Sequence, residues 1–183
     1  MARITATQNY CMYLRRSRAD MEEEQRGAGN TLARHYARLM ELAQRLGISI
    51  PQSAVYHEIV SGDTIAERPR MQRLLADVEQ GKWAGVLVTE MSRLARGDTV
   101  DQGIVANTFL YSNTLIITLQ KTYDLRDQSD ETMVEMDLFM ARCEYRTIER
   151  RLQTGRVSSV KQGLYIGSRD PYGYIRYKFP ANG

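Results

Sequence analysis

Cysteine is nearly missing from this chain: 183 residues contain Cys11 and Cys143 and no others. Two cysteines make neither a disulfide framework nor a zinc site, and both are expected to pack as small apolar groups. Long apolar runs are missing too. No stretch approaches the length needed to span a bilayer, and the opening MARITATQNY lacks the apolar core of a secretion signal. The cytoplasm is therefore the expected compartment, with no membrane partner. Internal repeats are absent, and no paired-carboxylate or Cys/His cluster offers itself to a metal, so no cofactor is expected.

What is present is globular. Hydrophobic residues make up 43% and charged residues 26% of the chain, enough for one ordinary domain with a core. The net charge of +3 is a weak pointer to nucleic acid, but its distribution is more informative. Six acids and one base lie between Asp124 and Asp137, whereas six bases and two acids lie between Arg142 and Lys161. Such a sign change presents one end of a segment to phosphate, or equally suits a helix to its own dipole.

Apolar periodicity supplies the elements. Residues 9–15 (NYCMYLR) read as a buried strand. Thr31 opens a helix with Leu32, Tyr36, Leu39, Leu42, Ala43 and Leu46 on one face, ended by Gly47. Residues 54–60 form a second strand. Pro69 starts a helix carrying Met71, Leu74, Leu75 and Val78, which stops at Gly81. Trp83 anchors the turn that follows. Residues 86–88 and 115–119 are further strands, separated by a helix over 99–111. Alternating strands and helices predict an α/β fold with a mostly parallel central sheet. In such sheets chemistry gathers beyond the carboxyl ends of the strands, where this sequence places RRSR and SRLAR. From about residue 130 a helical pattern with Met133, Met136 and Met140 runs unbroken to Gly155 and on to Lys161. Roughly 30 residues at 1.5 Å each span about 45 Å, more than the domain needs, so its Met-lined face should pack on something beyond its own sheet. The expected organisation is a core over 1–128, a long helix over 129–162, and a Gly/Tyr/Pro-rich linker over 163–183 leading to a further DNA-binding region. In that linker Tyr165, Tyr172, Tyr174 and Tyr177 are interleaved with Arg169, Arg176 and Lys178, a pattern open to DNA contact or to packing.

Strand alternation puts Tyr13 and Arg15 on one face, with Ser17 just past the strand end. A serine beside arginines can attack phosphorus if its proton is removed, while the planar, permanently charged guanidinium groups meet the phosphate charge. Alone, RRSR is an ordinary basic surface motif. Three further stretches join it: Glu58-Ile59-Val60-Ser61-Gly62 followed by Arg68-Pro69, then Arg93-Leu94-Ala95-Arg96, then the Glu/Arg-rich stretch 144–151.

In this order the motifs resemble the serine recombinase family of resolvases, invertases and large serine integrases. The likeness covers about residues 10–174, and RLARGDT and Pro171-Tyr172-Gly173-Tyr174 are most similar to the large integrase branch. The resemblance implies that Ser17 is the nucleophile, with Arg15, Arg68, Arg93 and Arg96 as catalytic arginines and Glu58 and Arg151 in support. It also implies a double-stranded DNA substrate, cleavage and rejoining through a 5′-phosphoserine without metal or ATP, pairing into dimers through the long helix, and tetramers when two sites meet. Arg146, Arg150, Arg156 and Lys161 are then DNA-binding. The sequence departs from the family in three places. His35 stands where a Gln is frequent, Ser92 stands where resolvases have Asp, and about ten extra residues separate Ser17 from the first helix. His35 is a candidate support for Ser17 or a solvated residue, and His57 reads as structural. Two other functions remain open at this stage: an inactive recombinase-like module that only dimerises or binds DNA, and a metal-free phosphoesterase.

Overall fold

The computed structural model describes residues 4, 8–16, 21, 30–59, 64–95, 98–167 and 172–175. The chain divides into two compact units, Met1–Tyr145 and Arg146–Gly183.

The first unit is an α/β domain, as expected. Strands β1 (Tyr10–Arg15), β2 (Val55–Glu58), β3 (Gly85–Leu87), β4 (Leu115–Ile117) and β5 (Thr122–Tyr123) form one sheet in the order β2-β1-β3-β4-β5. The first four are parallel and β5 is antiparallel to β4. Helices α1 (Thr31–Arg45), α2 (Pro69–Glu79), α3 (Thr99–Ser112) and α4 (Gln128–Lys161) complete the fold.

Strand β1 lies inside the sheet and is buried along its whole length. Its side chains alternate between two cores. Tyr10, Met12 and Leu14 face one, with Leu87, Ile117 and Leu39, Leu42 and Ala43 of α1. Cys11 and Tyr13 face the other, with Tyr56, Val86, Ile116, Leu74 and Val78 of α2, Phe109 of α3, and Val134 and Leu138 of α4. Each fully buried leucine contributes about 1.5–3 kcal/mol, so the two cores fix which helix covers which face. Gly85 is required where β3 passes β1, because an added Cβ would stand 3.0 Å from the Tyr10 ring and 3.1 Å from Ile117.

Local chemistry sets the helix ends. The Asn30 side chain accepts from the Ala33 amide at the start of α1. Gly47, at φ 68°, ends it with Gly47 N–H to Gln44 O and Ile48 N–H to Ala43 O. This paired bond pattern needs a left-handed residue, and Gly81 repeats it after α2. Pro69 takes the first position of α2, where its missing amide costs nothing.

The structure differs from the sequence reading in several places: β3 starts and ends one residue early, at Gly85 and Leu87, and β4 stops at Ile117 rather than at 119, where the turn held by Thr118 begins. Strand β2 ends at Glu58, and Ile59 is exposed. Cys143 is exposed rather than packed, unlike the buried Cys11. Strand β5 was not expected; its two residues are too few to show a period. The turn before it is held by Thr118, whose backbone and hydroxyl both donate to Lys121 O at 2.9 Å. Trp83 does anchor its turn, donating to the Tyr56 hydroxyl at 3.1 Å with the two rings edge to face. No helix among the described residues is long and apolar enough to cross a membrane.

Burial raises the phenols of Tyr13 and Tyr123 to about 12 and pushes Tyr56 upward as well, with Asp77 beside Tyr56 and Asp137 beside Tyr123 adding to the effect. The folded chain therefore holds these protons more tightly than the unfolded chain. Their contribution is fully present below the ordinary tyrosine value near 10 and is lost as pH rises toward 12, by up to about 1.4 kcal/mol per pH unit for each tyrosine. Denaturation midpoints measured from pH 8 to 12 should be flat to about pH 10 and then fall. The phenolate absorbance of these three tyrosines should appear in step with unfolding, and Phe variants at the three positions should remove that component.

Candidate active site at the strand ends

The parallel register pairs Arg15 with Glu58, so β1 and β2 end side by side. The Arg16 amide extends the ladder by donating to Glu58 O at 3.2 Å. Beyond β3 the chain makes a short turn over Met91–Arg93, and buried Met91, Leu94 and Ala95 press that turn into the same end of the sheet. The strand end and the turn then hold each other. Arg15 Nη2 donates to Ser92 O at 3.2 Å, and Arg93 Nη1 donates to Arg15 O at 3.4 Å. Arg93 Nε also lies 2.9 Å from Glu90 Oε1, a half-exposed partner. Ser92 thus serves the cluster through its carbonyl.

Arg68 is the residue before Pro69 and caps α2 by position. Its side chain is fully buried, at 0% exposure. Nε donates to Thr64 O at 3.2 Å and Nη1 to Leu94 O at 2.9 Å, so this guanidinium joins the loop after β2 to the loop after β3. Glu58, 1% exposed, serves the backbone. Its Oε2 accepts the amides of Arg70 at 3.0 Å and Met71 at 3.2 Å. These are free donors of the first turn of α2, where a carboxylate is favoured by both hydrogen bonding and the helix dipole.

The result is three buried or nearly buried guanidinium groups at this end of the sheet, each bonded to a main-chain carbonyl. Burying cations is costly unless they are well bonded, and such a group is suited to a phosphate, whose oxygens match the arginine fork. Tyr13 adds a phenol on the same face. It is 1% exposed, its hydroxyl makes no hydrogen bond of good geometry among the described residues, and burial raises it to about 12 despite the opposing pull of Arg68 and Arg15. It is therefore an uncharged donor at neutral pH.

Of the residues singled out in the sequence, Arg15, Glu58, Arg68 and Arg93 come together here. Ser17 and Arg96 lie outside the described residues, as does the Ser61-Gly62 pair. His35 sits partly exposed in α1, and His57 partly buried in β2. Arg146, Arg150, Arg151, Arg156 and Lys161 lie in the second unit, all exposed. Sequence reasoning missed the phenol of Tyr13 and a buried carboxylate, Asp101, which accepts the Ile65 amide at 2.8 Å; a lone acid near the start of a helix gives no signal of its own. A separate cavity of about 460 Å³ at the amino ends of β3 and β4 is lined by Gln8, Lys82, Trp83, Asn113 and Arg126 and includes none of the arginine cluster.

The resolvase N-terminal domain family matches residues 10–165, and the chain belongs to that family. Among solved structures it is similar to the N-terminal catalytic domain of TP901-1 integrase, with 23% identity, a TM-score of 0.53, and coverage of 78% of this chain and 97% of that one. It is also similar to a resolvase family site-specific recombinase from Streptococcus pneumoniae, with 20% identity, a TM-score of 0.52, and coverage of 83% and 97%. At these identities the likeness is one of fold.

Glu58→Ala should leave two α2 amides without their acceptor and cost about 2–3 kcal/mol of stability by chemical denaturation. Glu58→Gln keeps one acceptor oxygen and should cost less. Equal stability of the alanine variant and the parent protein would show that the carboxylate does not hold the start of α2.

Proposed function

We propose that the chain is the catalytic domain of a site-specific recombinase that cuts and rejoins double-stranded DNA with Ser17 as nucleophile. The observation that carries this reading is the convergence of Arg15, Arg68 and Arg93 at the end of β1, two residues before Ser17. Ser17 Oγ attacks phosphorus and the P–O3′ bond breaks. The serine proton passes to a base, and the departing strand gains a proton to become a 3′-hydroxyl. The enzyme then carries the 5′-phosphate as a phosphoserine ester. Attack by the 3′-hydroxyl of the exchanged strand reverses the step and restores Ser17. One phosphate ester replaces another throughout, so ATP is not consumed. The arginines, Arg96 among them, meet the charge that grows on the phosphoryl oxygens, as metal ions do in many nucleases.

Helix α4 supplies assembly and DNA contact in this reading. Met133, Met136, Phe139 and Met140 are exposed on it, and a second copy of the same stripe is a self-complementary partner. Dimers pair in this way and tetramers form when two sites meet. Arg146, Arg150, Arg156 and Lys161 contact the DNA backbone, and Arg151 supports the reacting phosphate.

Ser17→Ala should abolish the covalent DNA–protein adduct and leave the fold intact, and peptide mapping should place the adduct on Ser17. Arg68→Ala, Arg93→Ala and Arg96→Ala should each slow cleavage by at least ~100-fold, the cost of one transition-state donor, with poor rescue by lysine. Adduct formed by the alanine variant at position 17, or near-normal cleavage by all three arginine variants, would reject the mechanism. Met136→Glu combined with Met140→Glu should yield a monomer by ultracentrifugation and abolish cleavage. A monomer that recombines normally would reject α4 as the assembly element.

A further inference from the structure

The first turn of α3 is built unlike the rest of that helix. The side chain of its capping residue Asp98 accepts from the Val100 amide. Asp101 and Gln102, one turn in, are both buried polar residues, 8% and 7% exposed, and they reach in different directions. Asp101 Oδ2 accepts the amide of Ile65 at 2.8 Å. Ile65 opens the short turn Ile65–Glu67 that leads into Arg68, and the residue before it, Thr64, gives its carbonyl to Arg68 Nε. Gln102 Nε2 donates to Leu138 O of α4 at 2.7 Å in a buried setting, and Arg142 of α4 donates to the Thr99 hydroxyl on the same turn.

We propose that Asp101 is a positioning residue for Arg68, and that Gln102 makes this positioning depend on the seat of α4. The physical reason is short. A guanidinium held at Nε by Thr64 O and at Nη1 by Leu94 O loses one of these anchors if Thr64 moves. Thr64 in turn is fixed by the neighbouring amide that Asp101 holds. Removing the carboxylate leaves a buried amide unpaired, and the turn regains water by moving outward. The arginine moves with it. Gln102 shares the helical turn of Asp101, so a shift of the part of α4 around Leu138 pulls on the same backbone. The proposal rests on the reading that Arg68 serves the reacting phosphate.

The test uses the full-length protein and a nicked duplex carrying its own recombination site, on which the covalent adduct accumulates. Asp101→Ala should slow adduct formation by at least ~10-fold, as expected when a buried donor loses its acceptor, with DNA affinity within ~2-fold of the parent. Asp101→Asn keeps an oxygen for the Ile65 amide and should recover most of the rate, which a charge effect would not allow. In the Arg68→Ala background, Asp101→Ala should add nothing, because a residue acting through Arg68 has no target once the arginine is gone. If the alanine variant fails to fold, Asp101→Ser carries the same expectations. Amide exchange at Ile65 should accelerate in Asp101→Ala and, through the broken tie to α4, in Gln102→Leu. Full-rate adduct formation by Asp101→Ala beside an inactive Arg68→Ala overturns this inference alone, as does a double variant slowed by the product of the two single effects. Full-rate cleavage by Arg68→Ala overturns the phosphate role of Arg68 and the inference with it. Unchanged Ile65 exchange in Gln102→Leu removes the link to α4.

Discussion

The carboxylate of Glu58 sits where the sheet stops and the second helix starts, and the arginine cluster is arranged around that junction. One oxygen accepts two amides of α2, while the backbone of the same residue continues the β1–β2 ladder through Arg16. A single residue thus locks a strand end to a helix end. Arg68 is the last residue before that helix, so its backbone has little freedom left, and its guanidinium is directed at the loop after β3. The side chain that looks, by charge, like a partner for the arginines acts instead on the backbone that places one of them.

The same economy runs through the rest of the site. Arg15 and Arg68 are bonded to carbonyl oxygens of the loop after β3, and Arg93 to the carbonyl oxygen of Arg15 at the end of β1. A neutral carbonyl meets a buried guanidinium donor without adding a negative charge of its own, as a carboxylate would. The arrangement also makes the loops interdependent, since moving any one of them breaks a bond to an arginine anchored elsewhere.

Much of this was legible in the sequence. The alternation along β1 and the apolar face of α2 from Met71 to Val78 follow from period because each is buried, and the long helix follows from a helical spacing with no breaker. Arg15, Glu58, Arg68 and Arg93 were legible as a set because they fall at element ends in a family order. What escaped was of two kinds. Strand β5 is two residues long and is set by the Thr118 hydroxyl in the preceding turn, which no periodicity reveals. Asp101 and the Tyr13 phenol take their meaning from burial against distant segments, and a sequence does not state which acid or phenol is dry. Cys143 was misread because α4 carries more apolar residues than its domain covers, so helical spacing alone did not tell the packed face from the open one.

The antiparallel turn into β5 has a consequence for solubility. Every open sheet has two margins whose unpaired backbone groups invite other strands. Here one margin is β5, with two residues, and the other is β2, with four. Neither is long enough to template a foreign strand of ordinary length. Among the described residues, the sheet therefore leaves contact with other chains to side-chain surfaces and keeps its backbone out of the exchange.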